Sequence, residues 1–414
     1  MMNRISTIAL GAAVALGAIS LGVIPAMAAP EDAAKAPTHA KVSKKEREAL
    51  IAAGKAVDAK DAAGAAAALA AAQPLLETPD GRYNFGLLQV KLGILNNDKA
   101  LQLQGLDAMS SSGSATGAEL TQLLQNQAAI AFELKDDAKA EAALTRMQQL
   151  APNDSETIVS LAQLRSNQNR IPEALTLIDQ AIAANKAAGK PVPENWYKFA
   201  LSKANAAKLT PQVVKFSRDW VASYPSAQNW RDSLMLYRRV ANPERSILID
   251  VYRLLRFQKA MNGEGDYYML ANSLSQTGYP GEVKAVLDEG VAANAVNLSK
   301  EEFKAISSTA VARVADDKAS LAGGATAAAA AATGTPALKW GDAYFGYGDY
   351  AKAAELYRTA LQKGGVVASL VNTHLGMALA MSGDKAGAET AFKAITGPRA
   401  DLAGYLLVWL AQKA

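Results

Sequence analysis

Two histidines and no cysteine occur among the 414 residues of this chain. His39 lies in a segment rich in Ala and Pro, and His374 lies beside Leu375 and Gly376 in a helical pattern. Transition-metal sites draw mainly on His and Cys ligands, and no group of Asp, Glu and His has ligand spacing here. We therefore predict no metal site and no cofactor, and we expect His374 to be a packed or groove-lining polar residue.

Nucleophile and phosphate-binding motifs are weak. Ser382 and Lys385 match Ser-x-x-Lys, but they flank Gly383-Asp384, which is typical of a turn between helices. Gly346-Tyr347-Gly348 has the glycines of a phosphate loop without a preceding strand. We therefore predict a non-catalytic protein. An enzyme, or a carbohydrate-binding module in the aromatic-rich middle of the chain, is an alternative that would need a pocket between residues 196 and 290.

One stretch combines arginines with aromatic residues. Its arginines are Arg231, Arg238, Arg239, Arg245, Arg253 and Arg256, and its aromatic residues are Trp220, Tyr224, Trp230, Tyr237, Tyr252 and Phe257. A guanidinium group presents a planar fork to carboxylates, and Tyr and Trp add apolar contact area. The stretch is therefore either a site for an acidic peptide segment or C-terminal carboxylate, or a set of solvated arginines above ordinary core aromatics.

The elements that position these residues are predicted to be helices. Half of the chain is apolar while 6% is aromatic, and the apolar content comes largely from Ala and Leu, which favour helix. No run of alternating β-branched residues indicates a sheet. The predicted fold class is all-α.

A pattern of small and large residues recurs at a fixed step. Near the C-terminus, Gly341 and Ala353 return as Gly376 and Ala388, each after 35 residues. Further upstream, Ala140 and Ala174 are 34 residues apart. A step of about 34 residues is the period of a stacked helix–turn–helix repeat. The other members of these patterns are Ala337, Trp340, Tyr344, Tyr357, Ala360, Phe392, Ala128, Leu144, Pro152, Leu161 and Ile178.

These motifs resemble the tetratricopeptide repeat (TPR) family, with good matches over about a third of the chain after residue 28. The resemblance implies an α-solenoid of antiparallel helix pairs coiled into a right-handed superhelix. It also implies that a partner lies along the concave groove formed by the first helix of each pair. In that register the predicted partner-binding residues are Arg231, Arg238, Arg239, Tyr268, Asn272 and Gln276.

The N-terminus has the three parts of a secretory signal peptide. Arg4 is followed by a mostly apolar stretch from Ile5 to Ile24, and then by Pro25 and Ala26-Met27-Ala28. We predict cleavage after Ala28 and a periplasmic location, with no membrane span in the mature chain. An uncleaved membrane anchor is the alternative. Without Arg4 the balance is 42 basic to 39 acidic residues, which is too even to favour nucleic acid or a strongly anionic membrane surface as a partner.

Composition and turn signals divide the rest of the chain. We predict a flexible leader at 29–42, TPR-like repeats at 43–190, degenerate repeats at 191–333, and a repeat pair with a terminal helix at 334–414. Capping boxes are predicted at Ser43 and Ser299, and Asn242 is predicted to begin a helix. Residues 322–336 are expected to fray or form a loop.

The resulting functional prediction is a non-catalytic scaffold or adaptor of the bacterial periplasm that binds another protein through the concave face. The alternative is a structural component of an envelope or exopolysaccharide assembly, self-associating or membrane-tethered. The terminal helix, Pro398 to Ala414, is apolar nearly all round. Either neighbouring helices cover it, or it forms a homodimer or partner contact.

Overall fold

The structure is a computed structural model that describes residues 39–413. The predicted signal peptide and the first ten residues of the predicted leader lie outside the described residues. The described residues form twenty α-helices, and no β-strand occurs between 39 and 413. The predicted all-α fold class is confirmed.

The chain divides into two compact units, Met1–Asn195 and Trp196–Ala414. Unit 1 is a series of antiparallel helix pairs in which each helix contacts the helices next to it in sequence. Its helices are α1 (Lys44–Asp58), α2 (Ala62–Ala72), α3 (Pro79–Leu95), α4 (Lys99–Ser111), α5 (Gly117–Leu134), α6 (Asp137–Leu150), α7 (Ser155–Asn167) and α8 (Ile171–Ala187).

Unit 2 contains nearly all of the predicted segment 191–333 and the whole of the predicted segment 334–414. Its helices are α9 (Glu194–Ala206), α10 (Thr210–Ser223), α11 (Ala227–Ala241), α12 (Arg245–Phe257), α13 (Gly263–Ser275), α14 (Pro280–Ala292), α15 (Glu301–Ala330), α16 (Thr335–Gly346), α17 (Tyr350–Lys363), α18 (Ala368–Ser382), α19 (Lys385–Lys393) and α20 (Ala400–Gln412). α9 begins two residues before the division.

A recurrent turn joins the helices of a pair. A residue with positive φ is followed by an Asp whose carboxylate accepts a hydrogen bond from the backbone N–H three residues later, as in a helix N-cap. Gly383 has φ of 93° and Asp384 caps α19 in this way. The same arrangement occurs at Lys60-Asp61, Asn97-Asp98, Lys135-Asp136 and Gly348-Asp349. The Gly-Asp pairs are therefore turns, as the repeat pattern predicted.

The glycines of the C-terminal repeats lie where two helices meet. A Cβ atom at Gly341 would come within 2.7 Å of the ring of Tyr357, and one at Gly376 would overlap the ring of Phe392. Both aromatic side chains are fully buried. In each of these repeats, therefore, a glycine on the first helix leaves space that an aromatic ring from the second helix fills.

Unit 2 departs from a simple stack. α20 contacts its sequence neighbour α19, and it also contacts α10, α12 and α18. Leu402, Tyr405, Leu406 and Trp409 are buried there. Of the two interpretations of the terminal helix, coverage by neighbouring helices is confirmed.

Three local predictions were wrong. Asn242 ends α11 in the left-handed conformation (φ 43°), because Asn tolerates positive φ and Pro243 follows. Ser299 donates its hydroxyl to Asn297 instead of capping a helix, so α15 begins at Glu301 without a side-chain cap. Residues 322–330 are helical, because the Ala-rich sequence favours helix and Trp340 packs over Gly324.

The end of the predicted flexible leader is anchored to unit 1. The ring of His39 stacks on Tyr83 with centroids 3.8 Å apart. Its Nδ1 lies 2.6 Å from the hydroxyl of Ser114, and its Nε2 lies 2.9 Å from Glu119 Oε1. These contacts hold the chain immediately before α1 against α3 and α5.

Candidate functional site

The six predicted partner-binding residues lie on two helices of unit 2. Arg231, Arg238 and Arg239 belong to α11, while Tyr268 and Asn272 belong to α13 and Gln276 caps its C-terminus. They differ in the contacts that each side chain makes with other residues of this chain.

Two of the three arginines already have partners. Arg231 forms an ion pair with Asp266 at the start of α13 and donates a hydrogen bond to the carbonyl of Ala260. Arg238 donates a 2.6 Å hydrogen bond to the hydroxyl of Tyr252. Arg239 is exposed. The carboxylate that the sequence suggested for Arg231 is therefore supplied by this chain.

The α13 residues form a row on an exposed face. Tyr268, Asn272 and Gln276 follow one another at steps of four, which places them on the same side of the helix. Tyr268 is 36% exposed, and its ring packs edge-on against buried Phe303 with centroids 5.7 Å apart. Gln276 donates a 3.3 Å hydrogen bond to the side-chain oxygen of Asn272. This row is a pre-formed surface with an aromatic edge and amide groups.

The side of α11 that carries Trp230 and Tyr237 is covered by α20. Both aromatic side chains are about 1% exposed. The centroid of the Tyr405 ring lies 6.4 Å from that of Trp230 and 5.6 Å from that of Tyr237. Trp230 Nε1 donates to Gln412 Oε1 at 3.1 Å. Four of the six interleaved aromatics, Trp220, Trp230, Tyr237 and Tyr252, are core residues, as one of the two interpretations held. The solvated arginines of that interpretation were wrong, because Arg253 is buried and Arg231, Arg245 and Arg256 have partners within the chain.

A buried ionic network lies in the interior of unit 2, and sequence reasoning missed it. Arg253 on α12 pairs with Glu282 on α14 through Nε–Oε1 at 2.8 Å and Nη2–Oε2 at 2.6 Å. Its Nη1 donates to Asp250 Oδ1 at 2.9 Å. Arg399, just before α20, donates to Asp250 Oδ2 at 2.6 Å. All four side chains are at most 4% exposed.

His374 on α18 connects this network to a second carboxylate. Its Nδ1 lies 2.6 Å from Asp342 Oδ1, and its Nε2 lies 3.3 Å from Asp250 Oδ1. Asp342 also accepts hydrogen bonds of 2.7 Å from the hydroxyls of Tyr279 and Tyr357. With His374 protonated, three cations face three carboxylates, so the buried network is neutral.

The pKa values follow from these contacts. Burial by itself would lower the pKa of His374, but the charges of Asp342 and Asp250 and their hydrogen bonds raise it to about 9. Burial by itself would raise the pKa of Asp250, but the positive charges of His374, Arg253 and Arg399 lower it. Burial and the negative charge of Asp342 raise the pKa of Tyr357 well above its ordinary value. The two carboxylates therefore favour the protonated form of His374, whose Nε2 also lies 3.2 Å from Arg253 Nη1.

The network joins structural elements and is closed to a ligand. It ties α12 to α14, α16, α18 and the segment before α20, and every charged group in it has a partner. The sequence holds only a weak sign of it, because Arg253 and Asp250 fall one turn apart in a stretch, Ile247 to Leu255, whose other residues are apolar or aromatic. Their partners lie up to 149 residues away along the chain.

Other features give little support to chemistry. Two cavities of about 250 and 320 Å³ lie beside Lys208 in unit 2 and beside Arg165 in unit 1. The first falls within residues 196–290, where the enzyme or carbohydrate-binding alternative needs a pocket, and its lining is Asn205, Lys208, Thr210, Val213 and Val240. Ser382 donates its hydroxyl to the carbonyl of Leu379, as at a helix end. Between residues 39 and 413, no group of three or more Asp, Glu and His side chains is arranged to hold a metal ion. No helix in that range is long and apolar enough to cross a membrane.

The helices themselves define the class of protein, an all-α array of antiparallel helix pairs. No family model matches the chain, and no curated protein matches it. Among solved structures, a tetratricopeptide repeat protein from Parabacteroides merdae is similar at 14% identity, with 65% of this chain and 100% of that chain covered and a TM-score of 0.28.

Two assemblies are also similar. For the Naa15/Naa10 complex bound to HypK-THB, identity is 12%, coverage is 87% of this chain and 70% of that chain, and the TM-score is 0.28. For the APC/C hetero-tetramer Cut9–Hcn1, identity is 12%, coverage is 88% of this chain and 66% of that chain, and the TM-score is 0.22. With such TM-scores these similarities carry no argument about function.

Proposed function

We propose that this protein is a non-catalytic scaffold that binds another protein through an exposed helix face of unit 2. The observation that carries the proposal is the row of Tyr268, Asn272 and Gln276 on α13. An aromatic edge and amide groups that both donate and accept hydrogen bonds suit the surface of a protein partner. Because Phe303 already orients Tyr268, binding would cost little ordering of the site.

Of the three predicted partner-binding arginines, two already have partners within this chain. Arg231 is neutralised by Asp266, and Arg238 is engaged by Tyr252. Arg239 is then the cation that an acidic segment of the partner would meet. The proposed surface is therefore the α13 row, and exposed Arg239 is the arginine of α11 that remains for an acidic segment of the partner.

The proposed location is the periplasm. Support comes from the sequence of residues 1–28, with its positive charge, apolar stretch and Ala-x-Ala ending. Expression of the full chain in a bacterial host, followed by intact-mass measurement of the periplasmic fraction, tests this. We expect a chain that begins at Ala29. A chain recovered from the membrane with residues 1–28 intact would favour the tethered structural component instead.

The binding proposal is tested by capture with a matched control. The chain from Ala29 is immobilised and exposed to a periplasmic extract, beside the variant Tyr268→Ala/Asn272→Ala/Gln276→Ala. The control variant, Gln122→Ala/Asn126→Ala, removes an equivalent amide pair from the exposed face of α5. We expect a protein that the wild type and the control retain and that the α13 variant loses at least tenfold.

Two results would contradict the proposal. Equal retention by all three chains would place the partner elsewhere on the surface. Failure to retain any protein, together with a dimer mass in solution, would favour a self-associating structural component.

A further inference from the structure

The first helix of unit 1 carries a basic outer face. Lys41, just before α1, and Lys44, Lys45 and Arg47 in its first two turns are all exposed. Glu46, the acidic residue among them, is buried. Its carboxylate accepts hydrogen bonds of 2.7 Å from the backbone N–H groups of Ser43, Glu77 and Thr78. The positive charges therefore face water while the negative charge is turned inward.

The stability of α1 does not account for these charges. The N-terminal turn of a helix carries partial positive charge, so Lys and Arg there are mildly unfavourable. Within residues 39–413, none of the four basic side chains takes part in an ion pair. Glu48, four residues after Lys44, is exposed on the same side of the helix, and the carboxylate of Asp80 accepts a hydrogen bond from the backbone N–H of Lys41. The face keeps a net positive charge, because its basic residues outnumber these two carboxylates.

A large apolar side chain is exposed within the same face. Ile51 is 51% exposed, one turn beyond Arg47, and Lys55 follows it by four residues. Residues at these spacings lie on one side of a helix. The apolar side of α1 is buried against unit 1 through Leu50 and Ala53, so Ile51 is the large apolar side chain that this basic face offers to a membrane surface.

The position of α1 in the chain favours a membrane over an acidic protein. Sixteen residues separate Lys41 from Ile24, where the N-terminal apolar stretch ends. An extended chain of that length reaches at most about 60 Å. While the apolar stretch is in a membrane during export, α1 is, among the described helices, the one nearest to it along the chain.

We propose that the basic face of α1, formed by Lys41, Lys44, Lys45, Arg47, Ile51 and Lys55, docks this protein on the surface of an anionic lipid bilayer. The basic side chains approach the headgroups, and Ile51 enters the boundary between headgroups and acyl chains. The residues of this face remain in the chain after cleavage at Ala28, and they are distinct from the α13 row proposed for a protein partner.

Vesicle co-sedimentation tests the proposal. The chain from Ala29, which contains every described residue, is mixed with vesicles of phosphatidylcholine alone or with an equal part of phosphatidylglycerol. We expect binding to the anionic vesicles only, and weaker binding at raised salt because exposed charges are screened. Each basic side chain near an anionic surface contributes about fivefold to binding, so Lys44→Gln/Lys45→Gln/Arg47→Gln should bind about 100-fold more weakly.

Two further variants separate charge from position and from apolar contact. Lys135→Gln/Lys186→Gln/Lys190→Gln removes the same charge from exposed positions elsewhere in unit 1, and its binding should stay within about threefold of the wild type. Ile51→Ser should weaken binding by about tenfold while its salt dependence is retained, because the apolar contribution is not screened.

Three results would overturn the proposal. They are no binding of the wild type to anionic vesicles, equal losses in the two triple variants, and binding to soluble poly-glutamate but not to vesicles. The last result would assign the face to an acidic protein. Because the readout is lipid binding, failure here would leave the proposed protein-binding function standing, and failure of the capture experiment would leave this proposal standing.

Discussion

Arg253 and Glu282 form a bidentate ion pair inside unit 2, with both side chains at most 2% exposed and the two N–O distances at 2.8 and 2.6 Å. The pair holds α12 to α14, which begins 23 residues after α12 ends. Because Asp250 accepts hydrogen bonds from both Arg253 and Arg399, α12 is also tied to the segment that precedes α20. The guanidinium group of Arg253 therefore links α12 to α14 directly and, through Asp250, shares a carboxylate with Arg399.

Loss of that group should destabilise unit 2 strongly. Arg253→Met keeps most of the side-chain volume but leaves Glu282 without its ion-pair partner and Asp250 with one fewer. Breaking a buried pair by removing one partner costs about 3–5 kcal/mol. All five tryptophans lie between residues 196 and 414, so urea unfolding followed by tryptophan fluorescence reports unit 2 alone. Lys284→Met, which breaks the exposed pair with Asp288, is the control and should cost less than about 1 kcal/mol. Similar midpoints for the two variants would contradict the importance of the network.

The stability of unit 2 should fall as the pH rises above neutral. Folding raises the pKa of His374 from 6.5 to about 9, so the folded state binds the proton more tightly than the unfolded state. The resulting stabilisation is fully present below pH 6.5 and is lost as the pH rises through about 9. Its size is on the order of 3 kcal/mol. Fluorescence-detected urea unfolding between pH 6 and 10 measures it, and His374→Gln should remove this part of the pH dependence. A wild-type stability that stays constant from pH 6 to 9 would exclude a protonated His374.

Glu46 should matter for unit 1, where it links α1 to the start of α3. Burial alone would raise its pKa, but hydrogen bonds from the backbone N–H groups of Thr78, Ser43 and Glu77 lower it from 4.5 to about 2. The stabilisation is therefore present above pH 4.5 and is lost as the pH falls through about 2. Glu46→Gln should cost about 2 kcal/mol, because charge-assisted hydrogen bonds are lost.

Hydrogen exchange detects this change, since unit 1 contains no tryptophan. Faster exchange of the N–H groups of Glu77 and Thr78 is expected in Glu46→Gln at pH 7. Glu48→Gln is the control, because Glu48 is exposed on the same helix. Equal exchange in both variants would show that the carboxylate of Glu46 does not hold the start of α3.

Two glycines of unit 2 should respond in opposite directions to the same substitution. At Gly376 a Cβ atom would overlap the ring of Phe392, whereas at Gly323 it would find no atom within 4 Å. Gly376→Ala should cost about 1–3 kcal/mol by overpacking. Gly323→Ala should stabilise α15 by up to about 1 kcal/mol, because Ala favours helix. Unfolding in urea, again followed by tryptophan fluorescence, compares them. A stabilising Gly376→Ala would mean that the helices of this repeat are further apart than the structure places them.

The repeat step and the small-and-large pattern were enough to predict an all-α fold of helix pairs. Gly341 and Gly376 recur because each lies under a ring from the next helix, and Gly-Asp recurs because the turn needs a residue with positive φ followed by a helix cap. These requirements are local, or they link residues within a single repeat. A period in the sequence therefore reports them directly. Asn242 was misassigned because Asn both caps helix starts and tolerates positive φ, and Ser299 because its hydroxyl bonds Asn297 instead of a helix N–H.

Only the tertiary structure decided which charged residues are buried and which surfaces are free. Arg231 and Arg253 look alike in the sequence, yet one reaches Asp266 at the edge of α13 and the other lies in the core with Glu282 and Asp250. The partners of Asp250 include His374 and Arg399, more than a hundred residues away. No local rule relates such residues, because their contact depends on how α12, α18 and α20 pack. The sequence alone determined the class of fold, while long-range packing determined that the inner aromatic face of α11 is filled by α20 and that the α13 row remains exposed.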